Sequence, residues 1–335
     1  MSINIGIGMV GAALQADEST PAAKPTYAHG LTGGSPISVE RSASSTSVAC
    51  GVRADIDGYV ESIDLNPNFE MLGYADVMPL YYYAALGKIV SSAVSGNDGV
   101  YQHVIELGDV LPALTIWGQV GAGNFGKTDG CKVSALNMSL TGNEPASYSA
   151  ELMGTDLTFL DATPFGEVDP SCFDGYFTPT NGTFMLDTAG STPAAAVITE
   201  ASIDISNDAE AFRALGRVMP ASIGEKKCTV SPSMTVVPDD ITPYRKMVTG
   251  TADGTKPSGQ MVYGSAVIEL QHSINPDWTI RFDIPRIPWT ADFVEVDPDG
   301  GNGEFTFTAD SAFAPGAGQS PVKVTITNNV ASYVA

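Results

Sequence analysis

Residues 131–154 read CKVSALNMSLTGNEPASYSAELMG, and this stretch decides the fold. Apolar and polar residues alternate on both sides of a turn at 142–145, which is rich in the residues that turns favour. The polar positions include Asn137 before the turn and Ser149 and Glu151 after it. A period of two on both arms predicts an antiparallel hairpin with one buried face and one face in water.

The same alternation predicts strands along most of the remaining chain. Around Ile203 and Ile280 it is especially regular, and it places Asp204 and Asp283 on the polar faces of their strands. The full set of expected strands lies near residues 37–48, 54–65, 101–107, 111–120, 131–141, 147–159, 182–186, 195–206, 228–237, 262–272, 278–287, 304–308 and 321–328.

Only two stretches favour a helix. The first runs from Pro79 to Gly87, because proline suits the first turn of a helix and glycine suits its end. The second is expected over residues 208–216, with Asn207 as its N-cap. A few short helices among many strands predict a mainly β protein, an antiparallel β-sandwich or barrel-like subunit with extended loops and terminal arms.

Changes in composition along the chain give few signs of domain boundaries. Residues 1–36 form a segment with several Pro and Ala residues, which we expect to be an extended N-terminal arm. Residues 37–335 are expected to form one β domain. Within that domain the segment at 189–196, rich in Ala, Gly and Pro, is the best position for a boundary between two lobes.

The charge of the chain excludes several classes of function. Its 335 residues carry a formal net charge of −22, which argues against binding of DNA through phosphate neutralisation and against attachment to anionic membranes. The N-terminus does not resemble a secretory signal, and the sequence holds no apolar run of about 18 residues. We therefore expect its four cysteines to be free thiols.

The motifs that could carry chemistry have simpler explanations. The glycine-rich run from Gly121 to Lys127 is followed by a strand instead of the helix that a dinucleotide site needs, so we expect a hairpin loop. The acidic run from Asp297 to Glu304 does not fit a calcium loop and is expected to be a turn. His29, His103 and His272 are expected to be packing or surface residues. No catalytic, cofactor-binding or metal site is predicted.

Three consecutive tyrosines in the first expected helix point to contacts between subunits. Side chains of consecutive helical residues cannot all face one core. Tyrosine is also enriched in protein interfaces. Tyr81, Tyr82 and Tyr83 are therefore candidates for an assembly interface.

The order of several motifs resembles the tail tube (major tail) proteins of long-tailed bacteriophages. A helix ending in Leu86-Gly87 is followed by Tyr101-Gln102-His103 and by the strand LPALTI at 111–116. Next come GCKV at 130–133 and the alternating hairpin that ends in Met153-Gly154. Strands at 203–207 and 278–285, which end in asparagine and in Ile-Pro, continue the similarity toward residue 329.

The resemblance implies a structural virion protein with no enzymatic activity and no cofactor. In that family, subunits made in the host cytoplasm form hexameric rings that stack into a hollow tube. Genomic DNA passes through the lumen, loops and terminal arms reach between rings, and the partners include tail-tip initiator, tail-terminator and tape measure proteins.

Lumen-lining residues follow from combining the resemblance with the hairpin pattern. The first candidates are Asn137, Ser149 and Glu151, and the strands around Ile203 and Ile280 offer Asp204 and Asp283 instead. A period of two shows which residues share a face but does not show which face meets the lumen.

Two other classes of protein remain compatible with the sequence. One is a decoration or binding module on a capsid or cell surface. The other is a carbohydrate-active β-sandwich enzyme, which would need a secretory signal, an aromatic groove and a positioned carboxylate pair.

Overall fold

The structure is a computed structural model that describes residues 6–46, 57–190, 192–293 and 303–334. Cys50 and most of the expected turn from Asp297 to Glu304 lie outside these residues. In the first half of the chain the elements are β1 Gly8–Leu14, β2 Tyr27–Gly30, β3 Gly33–Ser35, β4 Val39–Thr46, β5 Asp57–Leu65, β6 Asn68–Leu72, α1 Met78–Leu86, β7 Gly87–Ala93, β8 Tyr101–Leu107, β9 Leu114–Val120, β10 Phe125–Thr141, β11 Ser147–Met153, β12 Asp156–Leu160 and a 3₁₀ turn at Ser171–Phe173.

The second half continues the β architecture and adds one short helix. Its elements are β13 Phe177–Asp187, β14 Ala194–Ala195, β15 Ile198–Ser206, β16 Glu210–Phe212, β17 Ser222–Gly224, β18 Thr229–Val236, α2 Thr242–Thr249, β19 Gly264–His272, β20 Thr279–Ile287, β21 Phe305–Thr308 and β22 Lys323–Asn328. The prediction of a mainly β, antiparallel fold with one or two short helices is confirmed. Neither described helix is long and apolar enough to cross a membrane.

The long strand β10 joins two sheets. Its first half pairs with β9 and β12, in a side sheet of order β2-β1-β9-β10-β12. Its second half belongs to what we call the front sheet, of order β3-β6-β11-β10-β15-β18-β21. A separate back sheet has the order β14-β13-β19-β20-β22-β8-β7.

The front and back sheets bury their apolar faces in one shared core. Met138 and Ile203 from the front sheet and Phe282 and Ile326 from the back sheet belong to the same buried cluster. Helix α1 lies within this core and packs against β10 and β8. The ring of Tyr82 marks its position, since it contacts an aromatic ring of each sheet. The result is a β-sandwich with a helix inside it.

Helix α1 confirms the first helix prediction. It has a proline in its first turn and ends at Gly87, which adopts a left-handed conformation with φ of 90° and donates its N–H to the Tyr83 carbonyl. A side chain at Gly87 would place its Cβ 2.6 Å from the Val110 carbonyl oxygen. Glycine is therefore required both for its backbone angle and for the close approach.

The second helix prediction, over residues 208–216, is wrong. Glu210–Phe212 forms strand β16, which pairs with β17 in a small separate hairpin. Asn207 is no helix cap, because its buried side-chain amide donates to the carbonyls of Ala85 (2.9 Å) and Val133 (3.1 Å). Its strand is thus tied to the end of α1, and the following residues turn away from the core.

Much of the expected N-terminal arm, residues 1–36, is part of the side sheet. β1 pairs with β9 along its whole length, and Val10 and Ala12 are fully buried. The segment at 189–196 contains β14, which pairs antiparallel with the end of β13. The division of the chain into domains at these positions stays a prediction.

The glycine-rich run at 121–127 forms the expected hairpin loop. β9 and β10 pair on either side of it, and Gly118 lies opposite Gly126. The Ile37 side chain fills the space that these two glycines leave, because a Cβ on either of them would come within about 3 Å of it. The run therefore serves packing and turn formation.

Strands β4 and β5 form a separate two-stranded hairpin. Their side chains are mostly exposed. The hairpin joins the rest of the fold at Leu65, which lies beside the end of β11. At its base the Ile63 N–H donates to the Val218 carbonyl at 2.8 Å, and Asp64 pairs with Arg213. Within the described residues, β4 and β5 pair only with each other.

Candidate functional site

Four of the five lumen-lining candidates lie together on the solvent-facing side of the front sheet, which we call the front face. Pairing in register places Glu70, Ser149, Asn137, Asp204 and Ser231 in one row across five strands. Within this row the Asn137 side-chain amide donates a hydrogen bond to the Asp204 carboxylate. The sequence-based grouping of Asn137 with Ser149 is confirmed as a direct cross-strand pair.

The neighbouring rows add two more carboxylates to the front face. Glu151 lies one row away, between Asn68 of β6 and Ala135 of β10. Glu200 lies toward the opposite end of the sheet, paired with Thr141. Both glutamates are exposed.

A row of hydroxyl side chains separates Asp204 from Glu200. It consists of Ser147, Ser139, Ser202, Ser233 and Thr308, which lie opposite one another on five adjacent strands. Hydroxyl groups can both donate and accept hydrogen bonds. This part of the front face is therefore polar and uncharged.

The front face carries negative charge and no positive charge. On the strands that form it, from Val133 onward in β10, the only charged residues are Glu70, Glu151, Glu200 and Asp204. No lysine or arginine occurs on these described strands once β10 is counted from Val133. Each copy of the chain thus presents four carboxylates without a cation beside them on the same surface.

Buried neighbours fix which residues point outward. Met138, Tyr148 and Ile203 alternate with the front-face residues and are at most 1% exposed. Burial of each such side chain is worth about 1.5–3 kcal/mol. A one-residue slip of any strand would exchange the two faces, so burial of the core holds the acidic residues in water.

Lys132, the cation of β10 nearest to the front face, is ion-paired inside the fold. Lys132 is 5% exposed and forms ion pairs with Glu18 (2.5 Å) and Glu225 (2.7 Å). Burial disfavours its charge, but hydrogen bonds and attraction from the two glutamates outweigh burial and raise the pKa of Lys132. The two glutamates therefore balance the charge of Lys132, so that it does not offset the acidic front face.

Asp283 does not join the other four candidates, because it lies on the back sheet. Arg281 binds its carboxylate through Nε and a terminal nitrogen, the latter at 2.8 Å, and also contacts Glu269 at 3.1 Å. Lys323 lies 3.6 Å from Asp283 on the next strand. The strand pattern correctly shows Asp283 on a polar face, but that face belongs to the opposite layer.

The solvent-facing side of the back sheet is charge-compensated. Besides the Arg281 network it carries an ion pair of 2.6 Å between Lys88 and Glu106 on β7 and β8. Together the two networks hold three acids and three bases. The two wet faces of the sandwich therefore differ in electrostatic character: the front face repels anions, and the back face offers them cations.

Two of the three assembly-interface candidates are corrected by their burial. Tyr81 and Tyr82 are at most 1% exposed and pack inside their own subunit, so they offer no surface to a neighbour. The expectation from helical geometry fails because α1 is surrounded by core on nearly all sides. Tyr83 is half-buried and stays a candidate.

All three histidines are buried, which decides between the packing and surface positions that the sequence left open. In His29, Nδ1 donates to the Gly30 carbonyl at 2.9 Å, so Nε2 accepts from the Tyr81 hydroxyl at 2.9 Å. Burial lowers the pKa of His29 to about 4, and the ring is neutral at pH 7. His103 has the opposite arrangement, because its Nε2 donates to the Asn328 side-chain oxygen at 3.0 Å and its Nδ1 accepts from the Ser91 hydroxyl at 2.8 Å.

The described residues contain no cluster of three or more His, Cys, Asp or Glu side chains that could hold a metal ion. Cys131, Cys172 and Cys228 are free thiols, and burial raises the pKa of Cys228 to about 11. A thiol with a raised pKa is a weak nucleophile at neutral pH.

Sequence reasoning missed Glu70 and Glu200 on the front face. Glu70 belongs to a five-residue strand, whose short alternation between Phe69 and Met71 was the only signal for it. Glu200 lay inside an expected strand, and its position two before Ser202 and four before Asp204 already placed it on their face.

Comparison with known protein families identifies the family of this chain, whereas comparison with curated proteins does not. No curated protein matches the chain. The phage tail tube protein family matches residues 13–330, nearly the whole sequence. The chain therefore belongs to the phage tail tube protein family, and it is a structural component of the virion that assembles with copies of itself and with other tail proteins into a tube.

Proposed function

We propose that the front face lines the lumen of the tail tube and that genomic DNA passes along it during ejection. The observation that carries this proposal is the segregation of charge: four uncompensated carboxylates on one wet face and a balanced ion network on the other. A conduit for DNA needs a surface that holds the duplex away without binding it.

Electrostatics favours the front face over the back face for this role. DNA carries one negative charge per about 1.7 Å of its axis, and its contacts with proteins are dominated by Lys and Arg. At physiological ionic strength the front-face carboxylates act over roughly 8 Å. They repel phosphates over that distance, whereas Arg281, Lys88 and Lys323 on the back face would exchange their carboxylate partners for phosphates.

Neighbouring copies extend the front sheet around the lumen by pairing its edges. Its outermost strands, β3 and β21, have three and four residues, and among the described residues the outer edge of β21 makes only a single bridge, between Thr308 and Thr290. Open edges of a sheet are hazardous unless paired or covered. Closure into a ring, hexameric as the family resemblance implies, satisfies them.

The β4–β5 hairpin reaches toward the adjacent ring. It forms a sheet of its own and buries few of its side chains. An exposed two-stranded ribbon is marginal by itself, so contact with a neighbour stabilises it.

The remaining partners follow from the position of the subunit in a tail. The protein is made in the host cytoplasm and becomes part of the virion. There it contacts tail-tip initiator and tail-terminator proteins at the tube ends, and the tape measure protein and genomic DNA in the lumen. It has no enzymatic role and needs no cofactor.

Cysteine protection tests the placement of the two faces. Ser149→Cys reports the front face and Thr325→Cys, equally half-buried in the middle of the back sheet, is its matched control. Both are made with Cys172→Ser, which removes an exposed thiol. A bulky polymer-linked maleimide should modify both variants as free subunits, but only Thr325→Cys in assembled tubes. Protection of Thr325→Cys with labelling of Ser149→Cys would reverse the assignment.

A further inference from the structure

The β16–β17 hairpin carries an exposed apolar tip. Phe212 and Val218 are more than one-third exposed, and the Leu215 side chain is fully exposed. We call residues 212–218 the knob. Isolated exposed apolar residues are ordinary, but three within seven positions of one loop form a patch that solvent does not favour.

The knob is also basic in a strongly acidic chain. Arg213 pairs with Asp64 at the base of the β4–β5 hairpin, which holds the loop in place. Arg217 is exposed and makes no ion pair with any residue that the structure describes. The knob thus combines an apolar tip with one cation available to a partner, while the chain as a whole has a net charge of −22.

A cavity of about 440 Å³ with complementary properties lies elsewhere on the molecule. Its walls include the apolar residues Val197, Val236 and Pro238, and its rim carries Asp239 and Asp240. Val197 is largely exposed, so the cavity opens to solvent. We call this cavity the socket.

The socket has acidic groups available for a cation. Asp240 accepts a hydrogen bond from the Thr242 N–H at 2.7 Å, which fixes one side of the rim at the start of α2. Asp187, deeper in the socket, is paired with Lys246 at 3.4 Å. Asp239 forms no ion pair within the described part of the chain, so the rim retains negative charge.

Knob and socket lie at opposite ends of the same pair of strands. The knob follows the end of β15 at Ser206 and precedes the start of β18 at Thr229. The socket lies before the start of β15 at Ile198 and after the end of β18 at Val236. A nine-residue strand spans about 30 Å, so a knob cannot reach the socket of its own chain.

We propose that the knob of one copy inserts into the socket of the next copy along the β15–β18 direction, with Leu215 against the apolar wall and Arg217 at Asp239. The contact is heterologous, because each copy uses two different surfaces, and such contacts propagate from copy to copy. This inference rests on the proposed function, since it describes how the subunits of the tube join.

Disulfide trapping tests the contact directly. Leu215→Cys and Val197→Cys are combined in one chain with Cys172→Ser, and the assembled protein is mildly oxidised. Intermolecular disulfides should then link copies into a ladder of three or more, whereas each variant with one of the two introduced cysteines, made with Cys50→Ser and Cys172→Ser as is the double variant, should give no species larger than a dimer. Absence of the ladder in tubes that form normally would overturn the inference and leave the proposed function intact.

A charge exchange supplies a second readout that does not depend on oxidation. Arg217→Glu should raise the protein concentration needed for assembly by about tenfold, and Asp239→Lys should do the same. Mixing the two variants should restore assembly by alternation of the two kinds of copy, and combining both changes in one chain should restore it as well, because each contact then regains opposite charges. If the double variant assembles no better than the singles, the pairing is refuted. If the wild-type protein forms neither rings nor tubes, the inference and the proposed function fail together.

Discussion

Reversal of one front-face charge should slow the passage of DNA. Glu151 is exposed on β11 and lies outside the buried core, so Glu151→Lys leaves the fold intact. The four front-face acids give each copy a charge of −4 on this surface, and the substitution reduces it to −2. It also introduces an exposed cation where the wild-type surface has none.

The size of the effect follows from screened electrostatics. Two unit charges about 8 Å apart in water interact by about 0.5 kcal/mol, and screening over one Debye length leaves about 0.2 kcal/mol. A change of two charges therefore alters the interaction with a phosphate by about 0.4 kcal/mol per copy. Around a proposed ring of six this reaches about 2 kcal/mol, and it repeats in every ring along the tube.

The assay is the rate of DNA release from triggered phage particles, followed with a fluorescent dye that binds DNA. Asp277→Lys is the matched control, because it makes the same charge change at an exposed position in the β19–β20 turn of the back sheet. We expect slower release for Glu151→Lys, with a larger effect at low salt, and normal release for Asp277→Lys. Normal release for Glu151→Lys together with slow release for Asp277→Lys would refute the reasoning.

The remaining predictions concern the stability of the subunit. In urea unfolding, Gly96→Ala should lower the free energy of unfolding by about 1–2 kcal/mol, because its backbone is left-handed. Gly87→Ala should lower it clearly more, since of these two positions only Gly87 would bring a Cβ against a carbonyl oxygen. Equal losses would contradict the packing described. Asn207→Ala should cost about 1–3 kcal/mol by leaving two buried carbonyls without their donor, and an unchanged unfolding midpoint would argue against this anchor. The low pKa of His29, about 4 against 6.5 when unfolded, adds stability that is complete above about pH 6.5 and is lost as the pH falls toward 4. Relative to His29→Gln, the wild type should therefore lose up to about 3 kcal/mol over that range, and parallel pH profiles would exclude this role.

Local patterns were sufficient for most of the strands and for the front-face hairpin. Alternation defines which side chains share a face, and the turn at 142–145 fixes the register of Asn137 against Ser149. Helix α1 was equally accessible, because Pro79 and Gly87 mark its ends by local backbone chemistry.

Features that depend on distant parts of the chain were not predictable in this way. The amide of Asn207 is held by carbonyls 122 and 74 residues away, and this anchor replaces the helix that the local sequence favours. Tyr81 and Tyr82 are both buried because α1 lies between two sheets, and no pattern within one helix reveals how many layers surround it. Asp283 was separated from the other candidates only by the pairing of its strand with the back sheet.

Helical reconstruction of tubes assembled from the purified protein, by electron cryomicroscopy, tests the central claim most directly. The account predicts a hollow tube whose inner wall is the front sheet, with Glu70, Glu151, Glu200 and Asp204 facing the lumen. A tube whose lumen is lined by the Arg281 network of the back sheet, with these four carboxylates on its outer surface, would contradict it.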